Sequence, residues 1–205
     1  MDKIKIQEII PLTIQGEGMQ VGTPCSFIRL FGCPVGCYFC DTGYASNQVP
    51  AEGFKDLTMG EILEQIKGHN IVISGGEPTV NPKLDLLIES LINKKHPISI
   101  ETSGTKWIES LAQCWVTFSP KDHVSQQISD PLFWSRASEI KIVITCENDY
   151  YFYKDEIEMA SRQKIPVYLQ PEWGVASDVL DYLIDLSNRI GVKISIQTHK
   201  YLGVR

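Results

Sequence analysis

The chain has 205 residues, 43% of them apolar, and a formal net charge of −6. This length suits one domain spanning residues 1–205, because separate cores become the rule only above about 250–300 residues. The acidic balance argues against a dedicated nucleic-acid binder, which would be basic, and no apolar run approaches the roughly 20 residues that a membrane helix needs.

The opening MDKIKIQEII has no signal-peptide layout, so a cytoplasmic protein is expected. In chain order, β-rich runs are predicted at 26–31, 71–74, 98–101, 116–119, 140–144, 167–170 and 193–197. Helical spacing is predicted between them at 60–67, 83–93, 149–162 and 176–189. Thr58 ahead of Glu61 has the spacing of a capping box at a helix start. The last helix carries Val179, Leu180, Leu183, Ile184 and Leu186, close to an i, i+3, i+4, i+7 stripe.

Strand–helix alternation predicts an α/β fold with a parallel sheet. The strands are too few for a closed eight-stranded barrel, so an incomplete, TIM-like barrel is expected. In parallel sheets, sites form at the carboxyl ends of strands. The polar groups GGEP, TSG, SPK and QPE all follow predicted strands in this way.

Six cysteines in a reducing compartment point to metal binding or catalysis rather than disulfides. Three of them lie in GCPVGCYFCDT as Cys33-x3-Cys37-x2-Cys40. Three close thiolates on a Gly/Pro-containing loop can hold three irons of a cubane and leave the fourth open to a small ligand. A structural zinc normally closes with four ligands, and the next histidine, His69, precedes a strand. Tyr38 and Phe39 would shield such a cluster and face a nucleotide base, or else pack the loop. Cys25, Cys114 and Cys146 read as small core hydrophobes, and His69, His96 and His123 as surface or turn residues.

Spacing and order together resemble the radical S-adenosylmethionine (SAM) superfamily, which carries CxxxCxxC after its first strand and GGEP after its second. The resemblance implies a 4Fe–4S cluster on Cys33, Cys37 and Cys40, SAM chelated at the open iron, and a partial barrel of about six strand–helix units. TIQGEG at 13–18, IRLFGC, IETSG, FSPK, LQPE and the terminal QTHKYL extend it, over nearly the whole chain, to the 7-carboxy-7-deazaguanine synthases. Those are lyases that convert 6-carboxy-5,6,7,8-tetrahydropterin with loss of ammonia in queuosine and 7-deazapurine pathways. Hydrogen is removed from C6 by a 5′-deoxyadenosyl radical, and the ring contracts.

The resemblance implies that Ile14, Gln15, Gly16, Glu17, Arg29, Ser74, His199 and Arg205 meet the pterin. A carboxylate at Glu17 suits ring N–H donors, and the planar fork of Arg29 suits the substrate carboxylate. The plain alternatives are a turn residue for Glu17 and an ion pair for Arg29. SAM contacts are implied for Phe39, Cys40, Asp41, Gly76, Glu77, Ser119, Pro120, Lys121, Gln170, Pro171, Glu172 and Trp173. Thr42 is implied as a Mg2+ ligand, an oxygen donor of the kind this ion prefers. Glu101, Thr102 and Ser103 fall in the same cavity without assigned roles. A homodimer is expected, with flavodoxin or ferredoxin as electron donor. The competing expectations are a glycyl-radical-enzyme activase and a zinc-stabilised binding domain.

Overall fold

The computed structural model describes residues 3–42, 53–125 and 128–204. Its sheet has, among these residues, nine strands: β1 (Lys3–Ile14), β2 (Pro24–Leu30), β3 (Lys55–Thr58), β4 (Asn70–Gly75), β5 (Ile98–Thr102), β6 (Trp115–Phe118), β7 (Glu139–Ile144), β8 (Val167–Pro171) and β9 (Lys193–Ile194). Their order is β3-β1-β2-β4-β5-β6-β7-β8-β9. From β2 through β9 every ladder is parallel. Among the described residues β9 pairs only with β8, so the barrel stays open.

All seven predicted strands are present, as β2 and β4 to β9. Strands β1 and β3 were not expected, and both pair antiparallel. In β1, Ile4 and Ile6 are buried while Lys3 and Lys5 are exposed, but the alternation then lapses. The ladder to β2 slips between Ile10 and Thr13, around Pro11. Pro11 cannot donate to a ladder; its carbonyl instead accepts from the Ser26 hydroxyl and the Lys67 amide.

Helices α1 (Met59–Gln65), α2 (Leu84–Asn93), α3 (Phe133–Arg136), α4 (Glu147–Phe152), α5 (Lys154–Arg162), α6 (Ala176–Ile190) and α7 (Thr198–Leu202) complete the fold. The capping box before α1 forms, with Thr58 accepting from the Glu61 amide and Glu61 accepting from the Thr58 amide. The helix expected at 149–162 is two helices, broken at Tyr153 (φ −105°, ψ 11°). The Tyr153 hydroxyl is held by His123 at 2.8 Å, which fixes the break in the interior. Helix α6 buries Val179, Leu183 and Leu186, whereas Leu180 and Ile184 stay partly exposed. It stops at Gly191 in the left-handed region, the usual glycine termination.

Period-two alternation gives the parallel strands two different faces. The helix-facing side carries Ile28, Ile73, Ile100, Phe118, Ile142 and Leu169, each buried in one apolar cluster with Leu84, Leu87 and Leu183. Alternate positions carry Arg29, Ser74, Glu101, Ser119, Lys141 and Gln170, and these line a central cavity. The core therefore lies outside the sheet, and the lumen is polar.

Candidate active site

The cysteine loop leaves the end of β2 and crosses the mouth of the lumen. Gly76 explains how closely it sits: a Cβ there would lie 1.8 Å from the Gly32 carbonyl oxygen. The Glu77 amide donates to that same carbonyl at 2.8 Å. Only a residue without a side chain lets GGEP and the cysteine loop pack this way.

Cys33, Cys37 and Cys40 are free thiols and line one cavity of about 220 Å3 with Phe39, Asp41, Thr42, Gly76 and Lys121. Burial raises the thiol of Cys33, against backbone N–H groups of Val35 and Gly36 that lower it. Burial also raises Cys37, opposed by the charge of Lys121. Burial depresses Lys121 in turn, opposed by Cys37. Amides on Cys33 and the positive charge of Lys121 near Cys37, its own hydrogen bonds going to the Ser119 carbonyl and hydroxyl, suit an anionic thiolate-ligated cluster, so the donor set fits a 4Fe–4S group. Among the described residues no three His, Cys, Asp or Glu side chains are placed to hold one metal ion.

Glu77 is 2% exposed, and its carboxylate is occupied by the protein. One oxygen accepts from the Thr79 amide and hydroxyl and the Thr102 hydroxyl, the other from the Ser103 amide and hydroxyl. It locks GGEP to TSG across two strand ends. Ser119, Gln170, Glu172 and Trp173 also line the cavity, while Pro120 and Pro171 are buried behind it.

A second recess of about 160 Å3 adjoins the first. Ile14, Gln15, Gly16, Glu17, Arg29, Ser74 and His199 all line it, drawn from β1, β2, β4 and α7. Arg205 lies outside the described residues. Glu17, Arg29, Asp41, Ser74, Glu101 and Lys141 line both spaces. Helix α7 closes one side: the Thr198 amide and hydroxyl donate to the Gly16 carbonyl at 2.9 and 3.0 Å. Lys200 pairs with Asp41 at 3.6 Å and lies over the Trp173 ring. Arg29 donates to the Thr42 hydroxyl at 2.9 Å and lies 3.8 Å from Glu8, so both the ion pair and the cavity position are real.

Lys141 is the residue that the sequence reading missed. Its buried ammonium bonds Glu17 and, at 3.0 Å, Glu101. The outer oxygens of those carboxylates accept amides from Gln197 at 2.7 Å and Gln15 at 2.8 Å. Burial alone would raise Glu17, but the charge and hydrogen bond of Lys141, with that of Gln197, hold it down at about 2. Burial and the neighbouring Glu17 raise Glu101 despite Lys141. Burial works against the Lys141 charge, and the two carboxylates overcome it, so Lys141 stays protonated. Its signal was present: in EIKIVI, Glu139 and Lys141 share the face opposite the three isoleucines.

Three other expectations need correction. His123 is an interior side chain, 3% exposed, between Phe39 and Phe152. Cys146 is exposed ahead of α4, not a core residue, whereas Cys25 is buried and Cys114 packs against the core. Tyr38 is 64% exposed, with its hydroxyl on Thr145, so of the two loop aromatics only Phe39 faces the cavity.

Comparison with known proteins agrees with this geometry. Residues 27–123 match the model of the radical SAM superfamily. The chain is 31% identical to a 7-carboxy-7-deazaguanine synthase of Flavobacterium psychrophilum, over 96% of this chain and 93% of that one. It is 33% identical to the Synechocystis enzyme of the same name, over 94% and 90%. The crystal structure of QueE from Escherichia coli superposes with a TM-score of 0.78 at 28% identity, over 96% of this chain and 95% of that one. Streptococcus suis SuiB bound to S-adenosylmethionine shares the fold, with a TM-score of 0.54 at 15% identity, over 81% of this chain and 48% of that one. Superfamily membership implies a 4Fe–4S cluster and SAM. The chain belongs to the 7-carboxy-7-deazaguanine synthase family of radical SAM enzymes.

Proposed function

We propose that the protein converts 6-carboxy-5,6,7,8-tetrahydropterin to 7-carboxy-7-deazaguanine with loss of ammonia. One observation carries this reading: a recess lined by Gln15, Glu17, Arg29, Ser74 and His199 opens directly onto the cysteine-lined cavity. A small heterocycle there lies next to whatever the cysteine loop holds.

Cys33, Cys37 and Cys40 would hold the cluster, which supplies the electron that cleaves SAM and so starts hydrogen abstraction at C6. Phe39, Ser119, Lys121, Gln170, Glu172 and Trp173 would surround SAM; Gly76 and Glu77 would shape its seat. Arg29 would bind the substrate carboxylate through its free donors, with Thr42 beside it as a Mg2+ ligand. The 2.9 Å bond between Arg29 and Thr42 supports a shared carboxylate-and-cation position. Glu17 would accept an N–H from the amino-pyrimidinone edge on lone pairs left by Lys141 and Gln197. His199, lowered by burial against the pull of Glu17, would be a neutral hydrogen-bonding group over the ring. Homodimerisation and a flavodoxin or ferredoxin donor belong to the same reading and rest on the family resemblance alone.

The test is anaerobic incubation of cluster-loaded protein with dithionite, SAM, Mg2+ and the carboxypterin. Formation of 7-carboxy-7-deazaguanine with ammonia release is expected. SAM cleavage without that product would overturn the substrate assignment.

A further inference from the structure

The lumen contains a charged row in which Lys141, which no family motif quoted above includes, joins Glu17 of TIQGEG and Glu101 of IETSG. Lys141 stands midway along β7 with its ammonium between Glu17 and Glu101. Gln197 and Gln15 pin the far oxygens of both carboxylates, so neither can swing away. The three groups border both recesses. An ammonium has three donors, and among the described residues the two carboxylates take two of them. The row therefore offers a ligand an acceptor, a donor and an acceptor.

We infer that Glu17, Lys141 and Glu101 read the reduction state of the bicyclic ring, with Glu101 as the specificity-determining residue and Lys141 as the group that positions it. This rests on the proposed pterin substrate. Along one edge a tetrahydropterin presents N8–H, N1 and the 2-amino group, which are donor, acceptor and donor. Glu101 accepts from N8–H, Lys141 donates to N1, and Glu17 accepts from the 2-amino group. In the fully oxidised pterin N8 carries a lone pair, and this faces a carboxylate. Sites built to hydrogen-bond a ligand N–H reject analogues lacking it, because their buried polar groups are left unpaired. Lys141 is essential to the row: without the ammonium, two carboxylates would face each other across the ligand edge and N1 would lose its donor.

The experiment measures Kd for 6-carboxytetrahydropterin and for fully oxidised 6-carboxypterin, anaerobically, on cluster-loaded protein with SAM bound. The wild type is expected to prefer the reduced ring by about 10- to 100-fold. Glu101→Gln, whose amide can accept from N8–H or donate to a bare N8, should bring the two affinities to within about threefold, and Lys141→Arg, which still donates to N1, should keep most of the preference. Equal affinities in the wild type, or an unchanged ratio in Glu101→Gln, would overturn the inference while leaving the substrate assignment standing. Failure of the wild type to bind either pterin would remove both. The unmodified protein gives a further measurement that needs no variant. A tetrahydropterin methylated at N8 has lost one donor and should bind about tenfold or more weakly; binding as tight as the parent would overturn the inference.

Discussion

Glu77 shows how a motif residue can serve a ligand site without offering it a charge. Its two oxygens accept five hydrogen bonds from Thr79, Thr102 and Ser103, two of them from backbone amides. A buried donor that loses its acceptor costs about 1–3 kcal/mol, whereas hydroxyls can re-aim. Glu77→Ala should therefore lose on the order of 3 kcal/mol in urea unfolding, and Glu77→Gln clearly less. A Glu77→Ala protein as stable as the wild type would show that the carboxylate is held for a ligand instead. Glu17 makes the opposite case. Its folded pKa is about 2 against an ordinary value of 4.5. A depressed carboxylate stabilises the fold above its unfolded pKa, and that contribution fades as pH falls from about 4.5 towards 2. Glu17→Gln should remove this part of the pH dependence, measured as a shallower fall of unfolding free energy across that window. A wild-type-like slope would mean that Lys141 does not hold Glu17 ionised.

At the scale of elements, the C-terminal helix and the N-terminal loop behave as one unit. Helix α7 hangs on the Gly16 carbonyl through Thr198, and Gly16 has no room for more: a Cβ there would lie 2.0 Å from His199 Nδ1 and 2.7 Å from its Cβ. Gly16→Ala should displace α7, raise the pterin KM severalfold or more, and leave SAM cleavage without substrate nearly intact. An unchanged KM would mean that α7 does not shape the recess. Helix α1 offers a control far from the chemistry. Thr58→Ala removes an N-cap worth about 1 kcal/mol and should lower stability by that amount without altering KM. Elements with strong local signals were legible in the sequence: the capping box of α1, the glycine stop of α6 and the seven parallel strands. Those settled by distant partners were not. Strand β1 shows alternation only over its first residues and takes its remaining order from β2. The break between α4 and α5 depends on Tyr153 meeting His123, 30 positions away.

Over the whole molecule, the sheet separates stability from function by parity. Apolar side chains pack outward under the helices, and polar ones gather inside an open barrel. The motifs at strand ends could be placed from sequence because sites in parallel sheets form there. Lys141 was harder to see because it stands in mid-strand, where charged residues alternating with isoleucines read equally well as a solvent-facing side. The separation can be tested on two neighbours in β4. Ile73 is fully buried in the outer core, whereas Ser74 is half-buried and lines both recesses. Ile73→Ala opens a cavity among packed side chains, a change that costs about 2–5 kcal/mol. It should lower the urea midpoint while the surviving folded protein keeps its pterin affinity. Ser74→Ala removes one hydroxyl from a half-buried cavity wall, a change of about 0.5 kcal/mol or less in stability. It should weaken pterin binding about three- to tenfold, as expected for one lost hydrogen bond of about 0.5–1.5 kcal/mol. Loss of stability in Ser74→Ala comparable to that of Ile73→Ala would mean that the inner face is also structural core, and the division of the sheet into a packing side and a binding side would be wrong.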